Sequence, residues 1–222
     1  MGDRLIYKTV LSLVVVLSFA VEVLAYSGGD GSEERPYQIA NADDLVELGN
    51  TTTDYDKYFI LTANIDMASK GTFTQAVIAE DSVDVDFNGT PFIGNFNGDS
   101  HIISNLTVNG GDFCGLFGYV GSDGIVANLG LENTSVAGTG FFVGGLCGEN
   151  YGTITSCYAT GSVSGTLFVG GLCGDNYGNI TSSYSSSGVR GNELVGGLCG
   201  ENDGTITSSY ATSSVSGTLF VG

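Results

Sequence analysis

Residues 142–167 read FVGGLCGENYGTITSCYATGSVSGTL, residues 168–193 read FVGGLCGDNYGNITSSYSSSGVRGNE, and residues 194–219 read LVGGLCGENDGTITSSYATSSVSGTL. A segment that returns every 26 or so residues sets the architecture before any single residue does. Each copy holds short stretches that alternate apolar and small polar residues, GGLCG, TITSCYAT and GSVSG, and none is long enough or periodic enough for a helix. A unit this small cannot bury its own apolar face, so it must stack on its neighbours. Stacking in register lays each strand beside its own copy in the next coil, parallel, with a rise of about 4.8 Å. The expected fold is all-β: a right-handed parallel β-solenoid with about 26 residues per coil.

That fold assigns places to side chains. Ile154, Ile180 and Ile206 are expected inside as one ladder, Val163, Val189 and Val215 as a second, and Leu146, Leu172 and Leu198 as a third. Tyr158, Tyr184 and Tyr210 are expected as a stacked, largely buried aromatic row. The abundant glycines suit corners with positive φ and close backbone approach. Glu149-Asn150-Tyr151-Gly152 reads as a solvated corner.

The pattern reaches back before residue 142. Laying HIISNLTV over GIVANLGL extends one column through Ile102, Ile125, Ile154, Ile180 and Ile206, and a second through Leu106, Leu129, Tyr158, Tyr184 and Tyr210. Further upstream, Asn41 before Ala42-Asp43-Asp44 looks like an N-cap, which predicts a short helix over 42–48. Tyr58 to Met67 alternates and predicts a strand over 58–67. The expected organisation is a cap over 26–70, lead-in coils over 71–111 and repeats over 112–222. The first 25 residues carry Arg4 and Lys8, an apolar run from Val10 to Val21 and Val23-Leu24-Ala25, the layout of a secretory signal peptide. Because the chain stops three letters into another copy, it reads as the front of a longer protein, truncated at its C terminus.

Composition narrows the partners. The formal net charge of −18 makes nucleic acid a poor partner. Cys114, Cys147, Cys157, Cys173 and Cys199 are five, an odd number for a secreted chain, and Phe117 stands where three of them recur, so the position behaves as apolar and free buried thiols are favoured over bridges.

Two site ideas come with their plainer rivals. Glu149, Asp175 and Glu201, each followed by Asn150, Asn176 or Asn202, could form a Ca²⁺ ladder, but one acid per coil favours an ordinary turn. Thr153, Thr155, Thr181, Thr205 and Thr207 flank the inward isoleucines, so their hydroxyls should form outward ranks suited to ice or polysaccharide; Asn179 breaks one rank, and plain strand preference explains threonine there. Asp84 to Gly89 begins like an EF-hand loop, but Pro91 and Asn95 stand where that loop needs other residues. His101 is the single histidine. With no base partner recurring beside it, catalysis is not expected.

VGGLCGENYGTITSCYATGSVSG resembles the GLUG motif of large secreted bacterial surface proteins and of the regions preceding the catalytic part of immunoglobulin-A-cleaving metallopeptidases. GTPFIGNFNGDSHIISNLTV resembles the PFxGxFDGxGHTISNLTI stretch that precedes such repeats. Two departures are visible: Asn97-Gly98-Asp99-Ser100 where Asp-Gly-Asn-Gly is usual, and Cys147, Cys173 and Cys199 where valine is usual. The resemblance implies a secreted β-solenoid with scaffolding or adhesive duties and no agreed catalytic residues. The expected function is a non-enzymatic secreted or cell-surface scaffold or adhesin segment. The alternatives are a carbohydrate-binding or carbohydrate-processing module with any catalytic part downstream, and an ice-binding threonine ladder. Extracellular polysaccharide or other cell-surface components are the expected partners, with the membrane reached only through the signal peptide or a downstream anchor.

Overall fold

Alternation of inward apolar and outward polar residues does produce stacked parallel strands. A computed structural model describes residues 25–81 and 86–222. Nearly all of the predicted signal peptide, residues 1–24, falls outside that range, as do Asp84 and Val85 of the EF-hand-like stretch. A seven-stranded sheet runs through Tyr37–Ile39, Tyr58–Leu61, Asn95–Asn97, Ile125–Ala127, Thr153–Thr155, Asn179–Thr181 and Thr205–Thr207. A second sheet gathers ten strands, among them Ile102–Ser104, Gly130–Gly138 and Tyr158–Ser164. Two four-stranded sheets complete the walls: Phe117–Val120, Cys147–Asn150, Cys173–Asn176 and Cys199–Asn202 in one, Phe141–Gly144, Leu167–Gly170, Glu193–Gly196 and Leu219–Val221 in the other. Every strand pairing is parallel, so the chain is a parallel β-solenoid of about seven turns.

The core is a set of vertical rows. Ile154 pairs with Ile180 and Ile180 with Ile206, and Val163 pairs with Val189 and Val189 with Val215. Ile154, Ile180, Val163, Leu146 and Leu172 are all buried. Removing side chains of this size from water stabilises by about 1.5–3 kcal/mol each.

The upstream columns run differently from the expectation. Ile154 continues into Val126, Phe96 and Phe59, while Ile125 is exposed and pairs with Thr153. Tyr158 continues into Gly130 and Ile102, while Leu106 and Leu129 are buried elsewhere. The reason is that the Asn-Leu pair marks two different corners of a coil. Asn105 (φ 58°) and Asn133 (φ 52°) hold one corner; Asn128 (φ 54°), Ser156 (φ 53°), Ser182 (φ 51°) and Ser208 (φ 50°) hold another. Each corner needs a residue that tolerates the left-handed region, followed by an inward one.

A third corner is held by Phe113, Phe142, Phe168, Leu194 and Phe220, with φ between 49° and 57°. Bulky residues are rare there. The compensation is outside the coil, where the Phe142 ring stacks on Phe113 and on Phe168 with centroids 4.9 Å apart in both pairs. The glycines of the repeat therefore serve close approach more than positive φ. A Cβ on Gly174 would lie 2.6 Å from Gly148 O and from Val143 N, so strand Phe141–Gly144 can fold against Cys173–Asn176 only over glycine.

At the N-terminal end the helix spans Ala42–Asn50, two residues longer than expected. Asn41 Oδ1 accepts from the Asp43 and Asp44 amides at 2.8 and 3.1 Å, and Asp44 accepts in return from the Ala40 amide at 2.8 Å. Leu45 and Leu48 are fully buried in the same apolar core as the strands. Asn41→Ala is expected to cost about 1 kcal/mol, read as a lower urea midpoint at unchanged slope. The strand expected over 58–67 is two strands, Tyr58–Leu61 and Ile65–Asp66, because the chain turns a corner between them into the second sheet.

Candidate functional site

The acid-Asn pairs, expected at a solvated turn, lie in the wall instead. Cys147–Asn150 and Cys173–Asn176 are strands, with Asn150 and Asn176 fully buried and Asp175 1% exposed. Polar groups so placed must find partners. Asn150 Nδ2 donates to Asn176 Oδ1 at 2.7 Å, and Asn176 Nδ2 to Asn202 Oδ1 at 2.6 Å. The same amides also reach Gly152 O and Gly178 O at 3.4 and 3.3 Å. These asparagines form a continuous internal ladder. The Asn176 and Asn202 side-chain oxygens are committed to it and the Asn150 oxygen accepts from the Gly152 amide at 3.1 Å, so each of the three asparagine oxygens named for a Ca²⁺ ladder already holds a hydrogen bond. Among the described residues no three acidic, histidine or cysteine side chains converge as metal ligands.

The carboxylates form the adjacent row. Glu149 pairs in register with Asp175, and Asp175 with Glu201. Burial, then the Asp175 charge, pushes the Glu149 carboxyl up to about 7, against a partial offset from the Tyr151 hydroxyl beside it. Burial, then Glu201, raises Asp175 to about 6. Asp175 Oδ1 has no hydrogen-bond partner among the described residues. The rings of Tyr119, Tyr151 and Tyr177 stack alongside at 5.3 and 4.7 Å, and the Phe87 ring closes the row on Tyr119 at 4.5 Å.

All five cysteines are free thiols, and Cys173 sits in register between Cys147 and Cys199. Burial, above all, holds the Cys173 thiol well above its ordinary range. The threonine ranks face outward: Thr205 and Thr207 are exposed, Thr153, Thr155 and Thr181 half-buried. Within a rank, Thr181 and Thr207 hydroxyls bond each other at 3.1 Å. One coil before the threonines, the same positions hold Ile125 and Ala127, so the hydroxyl face covers only the last coils. His101 Nδ1 lies 3.2 Å from Asn64 Oδ1.

The tyrosine row does stack, Tyr158 on Tyr184 at 5.0 Å and Tyr184 on Tyr210 at 5.2 Å, with rings within 5° of parallel. It is not largely buried, since Tyr210 is 55% exposed. In the coil of residues 168–193 the Ser187 hydroxyl is buried and has no hydrogen-bond partner among the described residues. Ser187→Ala is therefore expected to stabilise by about 1 kcal/mol, measured as a raised urea midpoint.

The repeats match the family model of the GLUG motif at residues 142–164 and 191–216. The chain is 33% identical over 154 residues to halomucin of Haloquadratum walsbyi, a match that takes in 65% of this chain and 2% of that protein. It is 32% identical over 136 residues to a protein of Evansella cellulosilytica named for its Gly-rich membrane character, covering 58% of this chain and 15% of the other. The chain thus spans a small part of the length of either relative. Among solved structures, the crystal structure of a Bacteroides ovatus protein named for an immunoglobulin A1 protease superposes with a TM-score of 0.72 at 29% identity, over 88% of this chain and 62% of that one.

Proposed function

We propose that this chain, which carries GLUG motifs wound into a parallel β-solenoid, is a non-enzymatic segment of a secreted or cell-surface protein that acts as a scaffold, spacing and presenting outward-facing residues. One observation carries the reading: parallel pairing runs in register along the seven-stranded sheet from Tyr37 to Thr207, so corresponding positions recur on the same outer face, coil after coil. Buried polar groups are spent on the wall itself, with Asn150 bonded to Asn176 and Asn176 to the exposed Asn202. A solenoid of this kind gains length by adding coils without altering those already there. The names of the two relatives, a halomucin and a membrane protein, agree with a place at the cell surface.

The test is an antibody raised against the purified chain and applied to intact cells that carry the gene. Labelling of intact cells that is lost after brief external proteolysis supports the proposal. Labelling that requires permeabilisation overturns it.

A further inference from the structure

We propose that the groove beside Tyr158 binds one pyranose ring of a neutral oligosaccharide. This is independent of the scaffold reading, since a spacer needs no ligand. The row Tyr158, Tyr184, Tyr210 stops at Gly130, the residue paired with Tyr158 one coil earlier. A side chain at Gly130 would put its Cβ 2.5 Å from the Tyr158 ring, so glycine alone leaves the ring where it is. In the next two coils the corresponding space is taken by the preceding tyrosine. Here it is a groove of about 180 Å³ lined by Ser100, Asn128, Leu129, Gly130, Ser156 and Tyr158.

The chemistry of the walls selects the ligand. Tyr158 is an aromatic platform fixed in advance: its hydroxyl donates to Glu132 Oε1 at 2.7 Å, and Tyr184 lies parallel behind it. A fixed platform loses little freedom on binding. The rim is polar. The Asn128 Nδ2 donates to Asn97 Oδ1 at 3.0 Å, and its side-chain Oδ1, like the Ser100 and Ser156 hydroxyls, bonds to none of the described residues. Asn128, Ser100 and Ser156 are all exposed at left-handed corners. An apolar ring face beside one amide and two hydroxyls suits a polyol ring, which has an apolar face of its own and hydroxyls around its edge. The volume is below the roughly 300–1,000 Å³ of drug-sized pockets and suits a single hexose. Glu132 beside the platform and the net charge of −18 disfavour acidic sugars.

Saturation-transfer NMR and calorimetry on the whole chain, with cellotetraose, maltotetraose, mannotetraose and chitotetraose as neutral probes and tetragalacturonate as the acidic one, test the proposal. Saturable binding of at least one neutral probe with Kd of about 1 mM is expected, weakened at least tenfold in Tyr158→Ala. Asn128→Gly keeps the left-handed corner while removing the amide, so it should fold as the parent does and bind at least threefold more weakly. Failure of every neutral probe at 10 mM, binding unchanged in both variants, or preference for tetragalacturonate would each overturn the proposal.

Discussion

Asn176→Ala is expected to lower the unfolding free energy by about 3 kcal/mol, because it removes three hydrogen bonds from the wall at once, at about 1 kcal/mol each, and takes the nearest partner from a buried amide. Asn176 accepts from Asn150 at 2.7 Å and donates to Asn202 at 2.6 Å and to Gly178 O at 3.3 Å. Without it the Asn150 amide, fully buried, is left with only Gly152 O at 3.4 Å, and the Gly178 carbonyl with only the Thr205 amide at 2.9 Å. Each buried group stranded in this way costs about 1–3 kcal/mol, far more than a net hydrogen bond contributes when both partners can return to water. Position sets the contrast. Asn202 is the exposed end of the same ladder, so Asn202→Ala should cost about 1 kcal/mol or less. Urea denaturation of the two variants and the parent measures the difference. If the two losses agree within about 0.5 kcal/mol, the ladder is not what stabilises this wall.

That ladder also marks the limit of reading the chain as letters. The repeat fixed coil length, parallel register and the Ile154, Val163 and Leu146 rows, since a period of about 26 residues leaves one way to bury these faces. It misplaced Asn150 because Asn followed by x-Gly is turn chemistry almost everywhere else. The one signal that pointed inward was that Asn holds its place in all three copies while the acid before it alternates between Glu and Asp. Alignment of Ile102 with Ile125 failed for a related reason. Two corners of one coil make the same demand, a left-handed residue then an inward one, and so carry the same Asn-Leu letters at Asn105 and Asn128. Letters report local backbone requirements, and two places with equal requirements look alike. The phenylalanine corner at 142 and 168 has no such signature, because Phe is there for the ring stacked outside, across coils.

The groove at Gly130 was illegible for a simpler reason. It exists because a side chain is missing from a row, and a row is visible only after the strands have been paired. Tyr158 in the sequence is one of three equivalent tyrosines. In the fold it is the terminal one, and its hydroxyl is fixed by Glu132 from the preceding coil.

The carboxylate row makes the second large prediction, a dependence of stability on pH opposite to that of most acidic proteins. Glu149 and Asp175 are raised to about 7 and about 6 when folded, above their ordinary values, because burial first, then the Asp175 charge on Glu149 and the Glu201 charge on Asp175, disfavour ionisation. In the unfolded chain both would titrate near 4. A group whose folded value is raised binds more protons folded than unfolded between the two values, so its stabilisation is complete below about pH 4 and declines as pH rises through 6 and 7. The parent should therefore lose on the order of 2 kcal/mol between pH 5 and pH 8 from this pair, since each unit of displacement is worth about 1.4 kcal/mol before solvent relaxation reduces it. The double variant Glu149→Gln, Asp175→Asn keeps shape and removes both charges. It should melt above the parent at pH 8, by a few degrees at roughly 2–4 °C per kcal/mol for a chain of this size, and should match the parent only near pH 4, where the carboxyls are protonated folded and largely so unfolded. Tyr151 and Tyr177 stay beside the row in both proteins and are themselves raised, mainly by burial for Tyr151 and by the Asp175 charge for Tyr177, so they remain neutral across the window. Melting curves from pH 5 to pH 8 that fall in parallel for parent and double variant would mean that the carboxylates shed their protons without cost, and that water reaches the Asp175 oxygen that has no partner in the wall.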